Sequence, residues 1–220
     1  MSWFYCFRTR KQCSKSKDTI SFYQFKRVKQ IMLTIQPSEE TAILEKTKKW
    51  VENAVIGLNL CPFAKSVYVK NQVRMVVTGA ETVKELHQVL AKECTNLIDT
   101  DPEVLDTCLL VVPHVFEDFY DFNDFLDIAE LTLEELELVG ELQIASFHPD
   151  YQFADTEPDD ISNYTNRSPY PVLHLIRESS LDKATQQYPD ASAIFDSNIE
   201  KVTRLGVEGW KKLLEDDKSV

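Results

Sequence analysis

Residues 107–112 read Thr-Cys-Leu-Leu-Val-Val, and Pro113 follows directly. The run carries no charge and does not alternate, so it is not a strand with one wet face. It predicts a short strand covered on both faces, which requires helices packed against both sides of its sheet. Pro113 supplies no backbone donor and stops it.

The pattern on either side fits that layering. Residues 73–78 (VRMVVT) predict a strand. Between the two strands, Thr82 and Glu85 form a capping box, and Val83, Leu86, Leu90, Cys94 and Leu97 continue as a helical stripe. Further upstream, residues 39–58 show another stripe through Leu44, Val51, Ala54, Val55 and Leu58, opened by Ser38 and two glutamates. LCPFAK (60–65) is expected to end that helix, because the residue before Pro62 is pushed out of helical geometry.

Downstream, Phe119, Phe122, Leu126, Ala129, Leu133 and Leu136 make a third stripe, with acids such as Asp121, Asp124 and Glu134 on its outer face. That face reads as a solvated surface or as a docking face for a basic partner. Gly140 is expected to end the helix. Residues 141–147 (ELQIASF) and 172–177 (VLHLIR) predict two more strands, and a helix runs from Ser179 to about 187. Residues 194–205 and 207–214 form a closing helical pair around Gly206. Helices between strands favour parallel crossovers. The fourth strand's direction depends on the path of the loop before it. The fold class expected is α/β (α+β), a single domain over 32–220, with a mixed four-stranded sheet, packed helices and one long ordered loop. A ferredoxin-like plan fits less well, since a helix separates the second and third strands.

Charge limits the partners. The 220 residues carry a net charge of −12, yet residues 1–30 hold eight basic side chains against Asp18 alone, which leaves −19 on the rest. Such a body repels a phosphate backbone, so no nucleic-acid partner is expected. No apolar run approaches the ~18 residues of a membrane span, so no membrane partner is expected either. The five cysteines (Cys6, Cys13, Cys61, Cys94, Cys108) show no CxxC spacing and suit a reducing compartment. A cytoplasmic protein is expected. The basic arm over 1–31 reads as sequence upstream of a working start at Met32, or as an organellar transit segment. The sequons at Asn163 and Asn166 are accordingly expected to be unmodified.

Chemistry concentrates in one place. The connection over 149–170 is 22 residues long, beyond the ~12–15 residues usual for a loop without a role. Its aromatic residues and prolines predict an ordered loop. His148 precedes it, at the end of a strand where open α/β sheets place ligands. His174 follows it within a strand. Taken alone, each histidine reads as a structural residue; together they suggest a shared site. With Asp159 or Asp160 they make a candidate catalytic set, and His148, His174 and Asp160 a possible divalent-metal set. Cys61 is the candidate nucleophile, although a helix C-terminus disfavours its thiolate, and the alternative is a small buried residue. Arg167 and Arg177 are candidate anion binders, or are neutralised by nearby acids. Asn163 and Asn166 would bind substrate or cap turns. No P-loop, GxGxxG or GxSxG is present, so no nucleotide cofactor is indicated.

LNLCPFAK, LLVVPHVFEDFYDFNDFL, ELQIASFHPDYQFADTEPDDISNYTNRSPYPVLHLIRE and NIEKVTRLGVEGWKKLL together resemble domain-of-unknown-function family 1415. The resemblance runs from about Lys49 to Leu214 and omits the basic arm. It implies no particular reaction and no catalytic residue. The residues themselves suggest a small-molecule enzyme, a hydrolase or group transferase acting on an anionic substrate, with metal assistance as an option. The alternative is a non-catalytic ligand-binding or protein-interaction module.

Overall fold

The computed structural model describes residues 35–187 and 191–215. The basic arm and the Met32 start lie outside the described residues. Helix α1 (Pro37–Trp50) runs straight into a π-helix over Val51–Ile56. A short α2 (Ala64–Val69) leads to β1 (Val73–Val77), α3 (Val83–Asp99), β2 (Thr107–Val111), α4 (Phe119–Glu135) and β3 (Leu142–Phe147). A 3-10 helix (Ile161–Asn166) sits inside the long loop before β4 (Val172–Arg177). Helices α5 (Glu178–Gln187) and α6 (Ala191–Leu214) close the chain.

The sheet order is β1-β2-β4-β3, with β1 parallel to β2 and β4 antiparallel to both of its neighbours. The sheet is thus mixed, and the fourth strand runs against the other three. All five residues of β2 are buried, as its unbroken apolar run requires. One face carries Cys108, Leu110, Ile144, Leu173 and Leu175 and packs under α3 and α4. The opposite face carries Leu109, Val111, Phe147 and Val172 and packs under α1, the π-helix and α6.

Local chemistry explains the boundaries. Thr82 accepts the Glu85 N–H at 3.3 Å, while the Glu85 carboxylate accepts the Glu81 N–H at 3.1 Å, so the capping box forms one residue looser than its usual reciprocal pair. Three helices end in one motif: a residue at positive φ, with the two N–H groups from that position onward bonded back to the last turn. Asn59 (φ 50) does this for the π-helix, as Leu60 donates to Val55 and Asn59 to Ile56, both at 2.9 Å. Asn71 (φ 58) does it for α2 through Gln72 to Val67 and Asn71 to Tyr68. Glu137 (φ 58) does it for α4 through Leu138 to Leu133 and Glu137 to Glu134. Two expectations are corrected here. The first helix stops at Asn59, before Pro62 acts, and α4 stops at Glu137, while Gly140 (φ 88) shapes the turn into β3. Gly206 (φ 68, ψ 172) divides α6 where the sequence places the break.

Candidate functional site

The described cavity, of about 410 Å³, opens on the sheet face that carries His174. Its floor is Leu109, Thr107 and His174, from the two central strands. Its walls include Trp50, Val55 and Leu60 from α1, the π-helix and the turn after it, with Cys61 just before α2 and Tyr68 on it. Lys70, Glu103, Asp106 and Lys183 bring charge to its lining. The mixture of apolar wall and few polar groups is that of a small-molecule pocket.

Cys61 reaches this cavity because of the helix ending before it. The left-handed Asn59 reverses the chain and Leu60 plugs into the core at 2% exposure, so the next residue emerges at the pocket wall. Helix α6 holds the reversal in place. Asn198, fully buried, donates to the Leu60 carbonyl at 2.7 Å, and Lys201 donates to the Asn59 carbonyl at 2.7 Å. Burial pushes the Cys61 thiol pKa up, while backbone hydrogen bonds from Phe63 and Ala64 act in the other direction. Cys94 and Cys108 are buried in the opposite layer, where desolvation pushes both thiols up to about 12. Tyr68 also lines the cavity, its hydroxyl donating to Glu52 at 2.5 Å, and burial with that bond pushes it up to about 12.

His174 stands on this face as a half-buried neutral base. Leu109 is its cross-strand partner on β2, and Thr107 lies one side-chain step further along the same face. Thr107 Oγ1 stands 2.7 Å from His174 Nε2. Burial lowers the ring's pKa to about 4, so the imidazole is neutral at physiological pH. Phe147 packs between this ring and Trp50, tilted to the first and edge-on to the second, with centroids 6.3 Å and 5.1 Å away respectively.

The other predicted residues go elsewhere. His148 follows Phe147 and points to the opposite face, where it packs on Phe119 and Phe122 of α4 with centroids 5.5 Å and 5.3 Å away. Its Nδ1 accepts the Asp150 N–H at 3.0 Å, and desolvation lowers its pKa. The two histidines therefore do not share a site, because the sheet lies between them. Asp160 is exposed and caps the 3-10 helix through the Ser162 N–H at 2.8 Å; that bond holds its carboxyl below the usual range. Asp159 is exposed beside it. Among the described residues no group of three or more His, Cys, Asp or Glu side chains is placed to hold a metal ion, so the His148, His174 and Asp160 set is not assembled.

The expected anion binders are also committed. Arg177 is 5% exposed and donates to the backbone carbonyls of Leu97, Thr100 and Leu105, so it ties β4 to the C-terminus of α3 rather than gripping a ligand. A cation there also suits the helix dipole. Arg167 donates to the Pro158 carbonyl at 2.6 Å and lies over the Tyr164 ring, 4.2 Å from its centroid. Asn163 is fully buried: it accepts from the Phe153 N–H and the Thr156 hydroxyl and donates to the Glu157 carbonyl. Asn166 is buried and donates to the Ser146 carbonyl at 3.5 Å. The long loop's polar side chains hold the loop together and, through Asn166, tie it to β3.

Residues 42–212 match the family described as Protein of unknown function (DUF1415). The chain belongs to that family. No curated protein and no solved structure matches it. In this DUF1415 chain, Cys61 and His174 are the two predicted residues that meet at one cavity, from elements 113 positions apart. Thr107, Asn198 and Lys201 escaped the sequence reading. Thr107 stands at the head of an apolar strand, where a hydroxyl reads as an edge residue. The two on α6 act on backbone carbonyls, which leave no trace in a side-chain pattern.

Proposed function

We propose that this protein is a small-molecule enzyme of the hydrolase or group-transferase class, working in the cavity under α1, with Cys61 as nucleophile and His174 as proton acceptor. The observation that carries this reading is that both side chains line the same cavity. The thiol pKa is raised and the imidazole pKa lowered, so the resting pair is neutral on both sides. Proton transfer from Sγ to the ring then accompanies attack on an electrophilic carbon of the substrate, as in general-base catalysis. The leaving group takes the proton back from the ring. With Arg167 and Arg177 engaged elsewhere, Lys70 and Lys183 among the described lining residues bring positive charge to an anionic substrate.

The same neutral pair favours a second reading, a ligand-binding protein without turnover, since no thiolate–imidazolium pair is held ready. One experiment separates the two. A metabolite panel is screened by thermal shift, and each hit is tested for protection of Cys61 from iodoacetamide, read by site-resolved mass spectrometry. A hit that protects Cys61, is converted by the wild type and is left unchanged by Cys61→Ser supports the enzyme. A hit that protects Cys61 and is recovered intact supports the binding protein. Hits that stabilise the protein yet leave Cys61 fully reactive would remove the cavity from both readings.

A further inference from the structure

We propose that Thr107 is the positioning residue of this cavity: its hydroxyl holds His174 in the tautomer with the proton on Nε2 and the basic lone pair on Nδ1. The inference follows from counting protons. A threonine hydroxyl has one hydrogen to give and lone pairs to accept with. Thr107 Oγ1 lies 2.6 Å from the Leu175 carbonyl, which can only accept, so the hydroxyl proton goes there. The same oxygen lies 2.7 Å from His174 Nε2. Its proton being already committed, the hydroxyl meets Nε2 with a lone pair, and Nε2 must carry the N–H. A neutral ring has one N–H, so the lone pair sits on Nδ1.

The arrangement is rigid. Thr107 is 6% exposed and begins β2, and the antiparallel register of β2 against β4 sets it diagonally across from His174 on the same face. The carbonyl that takes its proton belongs to the residue after His174 on β4. Backbone geometry therefore selects the hydroxyl rotamer, and the rotamer selects the tautomer. This is the role of the third group in a nucleophile, base and orienter arrangement, where the orienter acts on the base and never touches the substrate. Its catalytic consequence rests on the proposed Cys61–His174 reading; the tautomer does not.

The test uses full-length protein labelled with ¹⁵N-histidine. Two-bond ¹H–¹⁵N spectra identify which ring nitrogen of His174 is pyrrole-like, with His174→Gln for assignment. The expected wild-type ring is protonated at Nε2, and Thr107→Ser preserves that pattern. Thr107→Val removes the acceptor, and the ring shifts to the Nδ1–H form or to a mixture of the two. In parallel, the pH profile of Cys61 alkylation is measured, with protection of Cys94 and Cys108 showing that the fold survives. The plateau rate should fall roughly 100-fold in Thr107→Val, the lower end of what a positioned base contributes, and return in Thr107→Ser. A wild-type ring protonated at Nδ1, or an unchanged tautomer in Thr107→Val, overturns the assignment whatever reaction the protein performs. A tautomer that follows Thr107 while Cys61 alkylation ignores it supports the assignment and is instead a failure of the Cys61–His174 pairing.

Discussion

Arg177, a candidate anion binder by sequence, spends its guanidinium on backbone carbonyls. Its guanidinium donates to the Leu97, Thr100 and Leu105 carbonyls at the end of α3 and in the following turn, where Leu97 also accepts the Thr100 N–H at 3.3 Å. Arg177→Met keeps the stem but removes the donor of the Thr100 and Leu105 carbonyls in a part-buried setting. It should cost about 2–4 kcal/mol, read as a lower urea midpoint, because both acceptors go unpaired together. A loss below 0.5 kcal/mol would mean that water replaces the guanidinium. The histidines carry the acid sensitivity at this scale. The folded pKa of His174 is about 4, below the ordinary 6.5, so on acidification the unfolded chain takes up the proton first. The stability is therefore fully present above pH 6.5 and is lost as pH falls toward about 4, by about 3 kcal/mol at most. His148 acts in the same direction. Urea midpoints measured from pH 7 to pH 4 should fall for the wild type, and less steeply for His174→Gln. Equal slopes for the two proteins would show that the ring is charged in the fold.

The helix ends set what can be tested at the level of elements. Glu137 holds a left-handed conformation that a side chain with Cβ disfavours by about 1–2 kcal/mol, and it does so to close the last turn of α4. Glu137→Gly should accordingly raise stability by about 1 kcal/mol, seen as a higher Tm. Gly206 is the opposite case. Its φ 68 and ψ 172 fall in a region that is essentially glycine's own, and a Cβ there would touch nothing within 4 Å. Gly206→Ala therefore carries a backbone penalty alone, about 1–3 kcal/mol, measurable as a Tm decrease with the Trp210 environment retained. Most elements were legible in the sequence because a stripe of apolar side chains announces a helix and an unbroken run announces β2. The Gly206 break and the Thr82 cap were legible for the same reason: each depends on one local residue type. The π-helix and the 3-10 helix were not, since their ladders are backbone bonds with no side-chain period of their own. Glu137 was not because its conformation is imposed by the Leu138–Leu133 closure, and glycine nearby offered the simpler expectation.

At the scale of the whole molecule the sheet is a partition. Leu110, fully buried in β2, anchors the α3 and α4 layer. Leu110→Ala should cost about 2–5 kcal/mol in a urea titration that remains a single transition. Across the sheet, the cavity takes contributions from α1, the π-helix, α2, α5 and α6 over the central strands, so its shape depends on the packing of that whole layer. Order along the chain, the apolar strand at 107–112, the polar crowding at 149–170 and the family of the chain were all determined by the sequence, because each rests on residues close together in the chain. Which of the crowded polar groups meet was decided only by tertiary structure. Strand parity alone puts His148 and Phe147 on opposite faces, but the face His174 shares depends on β4 pairing Val172 with Phe147 and His174 with Leu109. That register joins residues far apart in the chain, and shifting it by one would turn every side chain of β4 to the other side.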